Sequence, residues 1–211
     1  MTTQRDFDAF DASTWNESER TYFEIVNGAL KAQENLTISN GKPQHAVYLL
    51  RTFLANAKRS LRMYSGALAR YIDGGHVAAF DNPHVLHAAE TMLTRPNATM
   101  AVMIEQSLDV EEGGSPDDHP LIRLAKRMKS ERRLRGNLEI SQATEAVKSA
   151  LKEADFRHHW MVMDGSAYRL ETDPSLARAT VNFGDPRSAR ALDTMFRALW
   201  PHGTSVVSIQ P

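Results

Sequence analysis

The sequence predicts an α/β domain in which helices flank a mixed β-sheet. Three observations point to this class. Strand-like apolar runs alternate along the chain with amphipathic segments of ten or more residues. The pair Asp164-Gly165 lies between two strand-like runs and indicates a hairpin, because both turn residues accept positive φ. The run Thr99–Ile104 is apolar, as in strands that helices cover on both faces.

Composition limits the kind of protein that this chain can be. It has 211 residues, of which 42% are hydrophobic and 24% charged, and its net charge is −1. These values exclude a wholly disordered chain and suffice for one large domain. The sequence contains no cysteine, which excludes disulfides, thiol catalysis and cysteine-ligated zinc. No apolar run is long enough to span a membrane, and the acidic N-terminus lacks a signal-peptide pattern, so we expect a cytoplasmic protein with no membrane association.

The first part of the chain, residues 1–40, is predicted to be an acidic tail followed by a helix. The helix is predicted over 17–33, since apolar residues recur there at helical spacing. These residues are Tyr22, Phe23, Val26 and Leu30. A cluster of turn-forming residues at 38–43 marks the boundary to the main domain, 41–211.

The main domain is predicted to alternate helices with strands. Asn82-Pro83 opens one of the helices, because asparagine caps well and proline suits the first turn. The predicted helices lie at 44–59, 83–93, 119–130 and 186–200. The predicted strands lie at 61–63, 99–104, 138–140, 160–163, 167–170 and 179–183. A mixed sheet follows from this order, since helical crossovers join parallel strands and the Asp-Gly turn joins antiparallel ones.

Two segments resemble a known family. The run FLANAKRSLRMYSGAL resembles the opening helix and strand of the phospholipase D-like superfamily. The C-terminal runs HHWMVMDGSAYRLETD and ATVNFGDPRSARALDTMFRALW resemble its signature hairpin, its following strand and its closing helix. The resemblance covers about residues 44–200, one lobe of what is usually a two-lobed or dimeric unit. It implies a phospholipase D-like fold, and it implies a homodimer by analogy.

The superfamily motif is only partly present. That motif is His, any residue, Lys, four residues and Asp, followed by Gly-Ser and Asn; the histidine attacks phosphorus, while the lysine and asparagine hold phosphate oxygens. Aligning its Asp with Asp164 places Arg157 at the His position and His159 at the Lys position, and residues 170–173 replace Gly-Ser. Arginine stays protonated and cannot act as a nucleophile, and the acids Glu171 and Asp173 repel a phosphodiester. The resemblance therefore implies a degenerate lobe.

Two functions of different classes follow. The first is a non-catalytic binding or regulatory module, a pseudoenzyme that recognises nucleic acid, another phosphate-bearing ligand or a protein partner. The alternative is a phosphodiesterase or nuclease with a remodelled site, whose catalytic candidates are His159 and Asp164. No cofactor and no metal is expected; His158 and His159 are adjacent on a strand and point to opposite faces, so they cannot share one ion.

Five residues are expected to form a ligand pocket. Ser65 ends a predicted strand at the open end of the sheet, where α/β folds place ligands. Arg169 and Glu171 share one face of a strand, and they form either a remodelled polar pocket or a solvated hairpin edge. The expected pocket residues are Tyr64, Ser65, Arg157, Arg169 and Glu171.

Basic side chains are concentrated in one run, which contains a single acid, Glu131. The basic residues are Arg123, Lys126, Arg127, Lys129, Arg132, Arg133 and Arg135. On a helix they would present a positive stripe to the phosphates of a nucleic acid. A solvated amphipathic helix explains the same residues. A second, smaller basic group consists of Lys58, Arg59 and Arg62.

Overall fold

The structure is a computed structural model that describes residues 15–68, 79–108, 110, 113–156, 158–173 and 178–211. Its helices are α1 (Glu17–Ala32), α2 (Pro43–Asn56), α3 (Pro83–Leu93), α4 (Pro120–Ser130), α5 (Glu145–Glu153) and α6 (Pro186–Leu199). Its strands are β1 (Ile38–Asn40), β2 (Ser60–Ser65), β3 (Thr99–Ile104), β4 (Asn137–Gln142), β5 (Trp160–Met163), β6 (Ala167–Asp173), β7 (Arg178–Asn182) and β8 (Thr204–Ile209).

The eight strands form one mixed sheet in the order β1-β7-β6-β5-β2-β3-β4-β8. The central strands β2, β3 and β4 are parallel, and every other pairing is antiparallel. One buried cluster packs the helices α1, α2, α3 and α4 against the sheet. A second buried cluster packs α5 and α6 against it. The predicted α/β class, a mixed sheet flanked by helices, is confirmed.

Local sequence explains where the main helices begin. Asn16 caps α1 in a capping box with Glu19: the Asn16 side chain accepts from the Glu19 backbone, and the Glu19 carboxylate accepts from the Asn16 backbone. Asn82 caps α3 just before Pro83, as the sequence predicts. Asp185 caps α6, and its carboxylate accepts hydrogen bonds from the backbone N–H groups of Arg187 and Ser188. Each cap satisfies backbone N–H groups that the first turn leaves without a helical partner.

The β5–β6 hairpin is anchored to the rest of the sheet by its turn. Asp164 and Gly165 both have positive φ, 52° and 66°, as the Asp-Gly pair predicts. The Asp164 carboxylate accepts three backbone hydrogen bonds, each 2.8 Å long, from Lys58, Arg59 and Ser60. The turn is therefore fixed to the residues that begin β2.

Three elements differ from the sequence prediction. Residues 38–40 were expected in a turn cluster, but they form β1, because they pair with β7 at the end of the sheet. The helix α5 and the strand β8 were not predicted. The boundary at residue 40 stays a prediction; α1 packs into the larger buried cluster, and β1 belongs to the same sheet as the main domain. Within the described ranges, no helix has the length and apolarity needed to cross a membrane.

Candidate functional site

Several polar residues meet where the parallel strands end. Tyr64 is the last residue but one of β2, and Glu105 directly follows β3. His159 immediately precedes β5, which runs antiparallel to β2, so it lies at this same carboxyl edge. The Glu171 backbone N–H donates to the His159 carbonyl at 2.8 Å, which brings Glu171 beside it. Parallel α/β sheets bind ligands at this edge.

The imidazole of His159 lies between two carboxylates, and we call His159, Glu105 and Glu171 the His159 triad. Nδ1 lies 3.1 Å from Glu171 Oε2, and Nε2 lies 3.3 Å from Glu105 Oε2. Burial of the ring opposes its protonation, but the hydrogen bonds to Glu105 and Glu171 outweigh it and raise the pKa of His159 to about 9. At neutral pH the ring is therefore an imidazolium, and both of its nitrogens carry protons that carboxylates accept.

The two carboxylates of the triad are correspondingly held ionised. The hydrogen bond from His159 lowers the pKa of Glu105. Burial raises the pKa of Glu171, but the His159 ring outweighs this and leaves it below its ordinary value. The three charges of the triad sum to −1, so the triad itself does not attract a phosphate.

A cleft of about 250 Å³ opens beside the triad, and we call it the carboxyl-edge cleft. Its lining residues are Tyr64, Glu105, Lys148, Leu151, Lys152 and Phe156. The Tyr64 ring is buried and stacks on Trp160 with centroids 4.8 Å apart, and Phe156 meets Trp160 edge-on at 5.3 Å. Burial and the nearby Glu105 charge raise the pKa of Tyr64, so the phenol is neutral. The cleft thus has an aromatic floor and a charged rim.

The structure brings some of the predicted site residues together and separates others. Tyr64, His159 and Glu171 meet at the carboxyl edge, and Ser65 ends β2 there. Arg169 lies two residues before Glu171 on β6; burial lowers its pKa, the Glu171 charge opposes this, and its buried Nε has no hydrogen-bond partner. Asp164 follows β5 and lies at the opposite edge of the sheet from His159. Arg157 lies outside the described residues, and the roles assigned to these side chains remain predictions.

Sequence reasoning missed five residues of this site. Glu105 has a recognisable signal, because it is the first polar residue after the apolar run of β3 and so lies at the carboxyl end of a buried strand. Lys148, Leu151 and Lys152 belong to α5, which was not predicted, and Phe156 follows it. In the part of the chain that the structure describes, no group of three or more histidine, aspartate or glutamate side chains is arranged to hold a metal ion.

The basic run divides into two groups that the sequence did not distinguish. On α4, Lys126 pairs with Asp117 and Arg123 lies 3.9 Å from Asp118, whereas Arg127 and Lys129 form no ion pair with a described residue. The second group follows the end of α4. There the Arg135 carbonyl accepts from Asn97, so this loop lies beside the start of β3. Two cations of the first group are thus neutralised locally, whereas the second group lies at the amino edge of the sheet.

At this amino edge the second basic group meets residues from the other end of the sequence. The Arg59 carbonyl accepts from Thr99, which places Lys58 and Arg59 beside the same β3 start. We call the exposed residues gathered here the amino-edge basic surface; they are Lys58, Arg59, Arg132, Arg133 and Arg135. Arg133 pairs with Glu90 and Glu131, and the other four form no ion pair with any described residue. Arg62 does not belong to this surface, since it pairs with Asp193 at 2.6 Å.

Fold and site together define an α/β protein with a histidine–carboxylate triad at the carboxyl edge of its sheet and a basic amino edge. The chain belongs to the family described as "Domain of unknown function (DUF7931)", whose model matches residues 42–210. No curated protein matches the sequence.

Three of the solved structures that are similar to this chain come from two bacteria and an archaeon. Nuc from Salmonella typhimurium, a phospholipase D family member, has a TM-score of 0.49 and 14% identity, covering 82% of this chain and 98% of its own. TrmBL2, an archaeal chromatin protein, has a TM-score of 0.47 and 10% identity, covering 90% of this chain and 63% of its own. NucT from Helicobacter pylori has a TM-score of 0.45 and 7% identity, covering 82% and 98%.

The triad predicts a loss of stability in mild alkali. Because the folded pKa of His159, about 9, lies above its ordinary 6.5, its contribution is full below pH 6.5 and is lost as the pH rises through 9. With 33% of the ring exposed, we expect the free energy of unfolding to fall by roughly 2 kcal/mol across this window. Urea unfolding at a series of pH values measures it. The His159→Gln variant has no titratable group at this position and should lack this fall. The prediction would be contradicted if the free energy of unfolding depended on pH in the same way in the wild type and the variant.

Proposed function

We propose that the protein is a non-catalytic module with a phospholipase D-like fold that binds nucleic acid through its amino-edge basic surface. The observation that carries the proposal is the His159 triad. A histidine that attacks phosphorus needs a free lone pair on one ring nitrogen. Both nitrogens of His159 donate to carboxylates, so the ring lacks this lone pair at neutral pH.

The surroundings of His159 also oppose phosphodiester hydrolysis. The transition state gains negative charge and needs positive groups around it. Here the groups nearest the imidazole are Glu105 and Glu171, both with lowered pKa and therefore ionised. This arrangement argues against the alternative of a phosphodiesterase that uses His159.

The amino-edge basic surface supports binding of a polyanion. Its residues come from the loops before β2 and β4, which lie on either side of β3, about 10 Å apart. Four of its five cations form no ion pair with a described residue, so binding would not first have to break one. Phosphate contacts by such side chains release counterions and give affinity that falls with salt.

Reversing charge at the amino edge tests the binding proposal. The double substitution Arg132→Glu and Arg135→Glu should weaken binding to a duplex by about tenfold or more and reduce the slope of log K against log salt by about two. The slope falls because each lost phosphate contact removes about one counterion. Fluorescence anisotropy with a labelled duplex and a labelled single strand, at several salt concentrations, measures both quantities.

A matched variant separates the surface from the net charge. Arg123→Glu with Lys126→Glu makes the same change of charge on cations that Asp118 and Asp117 already neutralise. It should weaken binding much less than the amino-edge pair. Equal loss in the two double variants, or retained affinity and slope in the amino-edge variant, would overturn the proposed surface.

A turnover assay tests the non-catalytic half of the proposal separately. Wild-type protein and the His159→Ala variant are incubated with DNA, RNA and a chromogenic phosphodiester. We expect no difference between them and no turnover above the buffer rate. Turnover by the wild type that His159→Ala removes would establish the enzyme alternative instead.

Two further expectations belong to this proposal. The superfamily resemblance supports a homodimer, and the cytoplasmic location remains a prediction. Light scattering coupled to size-exclusion chromatography tests the first, with a mass twice that of the chain as the expected result. Fractionation of cells that produce the protein tests the second.

A further inference from the structure

The carboxyl-edge cleft has features that the proposed binding of nucleic acid does not use. It lies at the opposite edge of the sheet from the amino-edge basic surface, and it contains the aromatic floor, two lysines and a carboxylate already described. Its volume of about 250 Å³ is near the lower limit of ordinary small-molecule sites, about 300 Å³. A single base and its phosphate are of the right size class, whereas a folded polymer is not.

From this combination we infer that the carboxyl-edge cleft binds a free mononucleotide whose base bears an exocyclic amine. The base would lie against the aromatic residues, its amine would donate to Glu105, and its phosphate would meet the two lysines. The inference does not depend on the amino-edge proposal, because no residue is shared between the two sites.

Aromatic contacts provide the place for the base. Phe156 is half-buried at the cleft, and Tyr64 forms its floor with only 3% of the residue exposed. Behind them Trp160 contacts both rings, and its buried Nε1 has no hydrogen-bond partner. Every base has a π-face that stacks on such rings.

The carboxylate of Glu105 provides specificity for an amine. Its Oε2 is bound by the His159 ring, while Oε1 has no partner among the described residues. A carboxylate is acceptor-only, so it can take a hydrogen bond from an amino group but not from a carbonyl. Adenine, cytosine and guanine carry such an amine.

The lysines provide the anion contact. Lys148 and Lys152 are four residues apart on α5 and therefore share one face of that helix, at the rim of the cleft. Lys148 also pairs with Glu145 at 2.9 Å, and Lys152 forms no ion pair with a described residue. The two ammonium groups lie on α5 and the carboxylate of Glu105 lies at the end of β3, so the phosphate would contact the lysines while the amine donates to Glu105.

Ligand pairs test this inference without altering the protein. Isothermal titration with AMP should show saturable binding, and IMP, which has a carbonyl in place of the amine, should bind at least about fivefold more weakly. Adenosine, which lacks the phosphate, should bind at least about tenfold more weakly than AMP. Equal affinities for AMP and IMP, or no saturable binding of AMP at millimolar concentration, would overturn the inference. So would inorganic phosphate that binds as tightly as AMP.

Substitutions in the cleft supply the second arm. Phe156→Leu keeps apolar bulk but removes the ring, and Lys148→Ala with Lys152→Ala removes the cations; each should weaken AMP binding by about tenfold. Lys31→Ala, on α1, is the matched control and should leave AMP binding unchanged. Circular dichroism confirms the fold of each variant. The lysine variant should also bind duplex as the wild type does, and unchanged AMP binding in the cleft variants would overturn the assignment.

Discussion

Replacing Asp164 by alanine is expected to lower the free energy of unfolding by about 3 kcal/mol. The carboxylate accepts hydrogen bonds from three consecutive backbone N–H groups, at Lys58, Arg59 and Ser60. Alanine leaves all three without this acceptor, and it must also adopt a left-handed φ of 52°, which aspartate tolerates better. Urea unfolding followed by circular dichroism measures the change.

The Asp164→Asn variant is the control for this prediction. Its amide oxygen can still accept the two bonds that now reach Oδ1, and asparagine tolerates the left-handed region. We expect it to lose only about 1 kcal/mol. Equal destabilisation by alanine and asparagine would show that the charge, rather than the backbone hydrogen bonds, holds the hairpin to β2. If Asp164→Ala lost less free energy of unfolding than Asp164→Asn, the role assigned to this side chain would be contradicted.

Replacing Gly184 by alanine is expected to destabilise the protein by a similar amount, about 3 kcal/mol. A Cβ atom there would lie 2.6 Å from the Asn35 backbone nitrogen and closer still to Glu34 and Gln33. These are backbone atoms, so a side-chain rotation cannot relieve the contact. The residues that follow α1 would have to move away from the loop after β7. The strand β1, which comes next in the chain, would have to move with them. Thermal and urea unfolding give the size of the effect.

Gly28 serves as the matched control glycine. It lies within α1, and a Cβ there would meet nothing within 4 Å. Alanine suits a helix better than glycine, so Gly28→Ala should raise the free energy of unfolding by about 0.5–1 kcal/mol. The opposite signs of the two Gly→Ala substitutions are the test. If Gly184→Ala unfolds like the wild type, the close approach of residues 33–35 to this loop is not present in solution.

Most of the fold could be predicted because most of its elements are specified locally. The helix predicted over 17–33 is α1, and the Asp-Gly turn does have positive φ at both residues. Residues 38–40 could not be assigned from their own sequence, since a three-residue run beside Gly41 and Pro43 becomes a strand only by pairing with β7. Pairing that joins distant parts of the chain leaves little local signal.

The candidate site was predictable only in part, for a related reason. A family motif indicated His159, and strand alternation placed Glu171 near the same hairpin. Neither indicated Glu105, which comes from a different strand and meets His159 only because β3 and β5 flank β2. The ionisation of His159 depends on that meeting, so its chemistry could not be derived from the motif alone. The two groups of the basic run likewise become distinct only once Asp117 and Asp118 are placed.

The strand order also governs how this polypeptide assembles as it leaves the ribosome. The three residues of β1 are made before the other strands of the described sheet, yet the strand with which they pair there is β7. β1 therefore joins the sheet late, and the nascent chain must keep this segment free of wrong partners until β7 has been made. An expression clone that stops before residue 178 would leave β1 without a partner and is expected to yield aggregated protein.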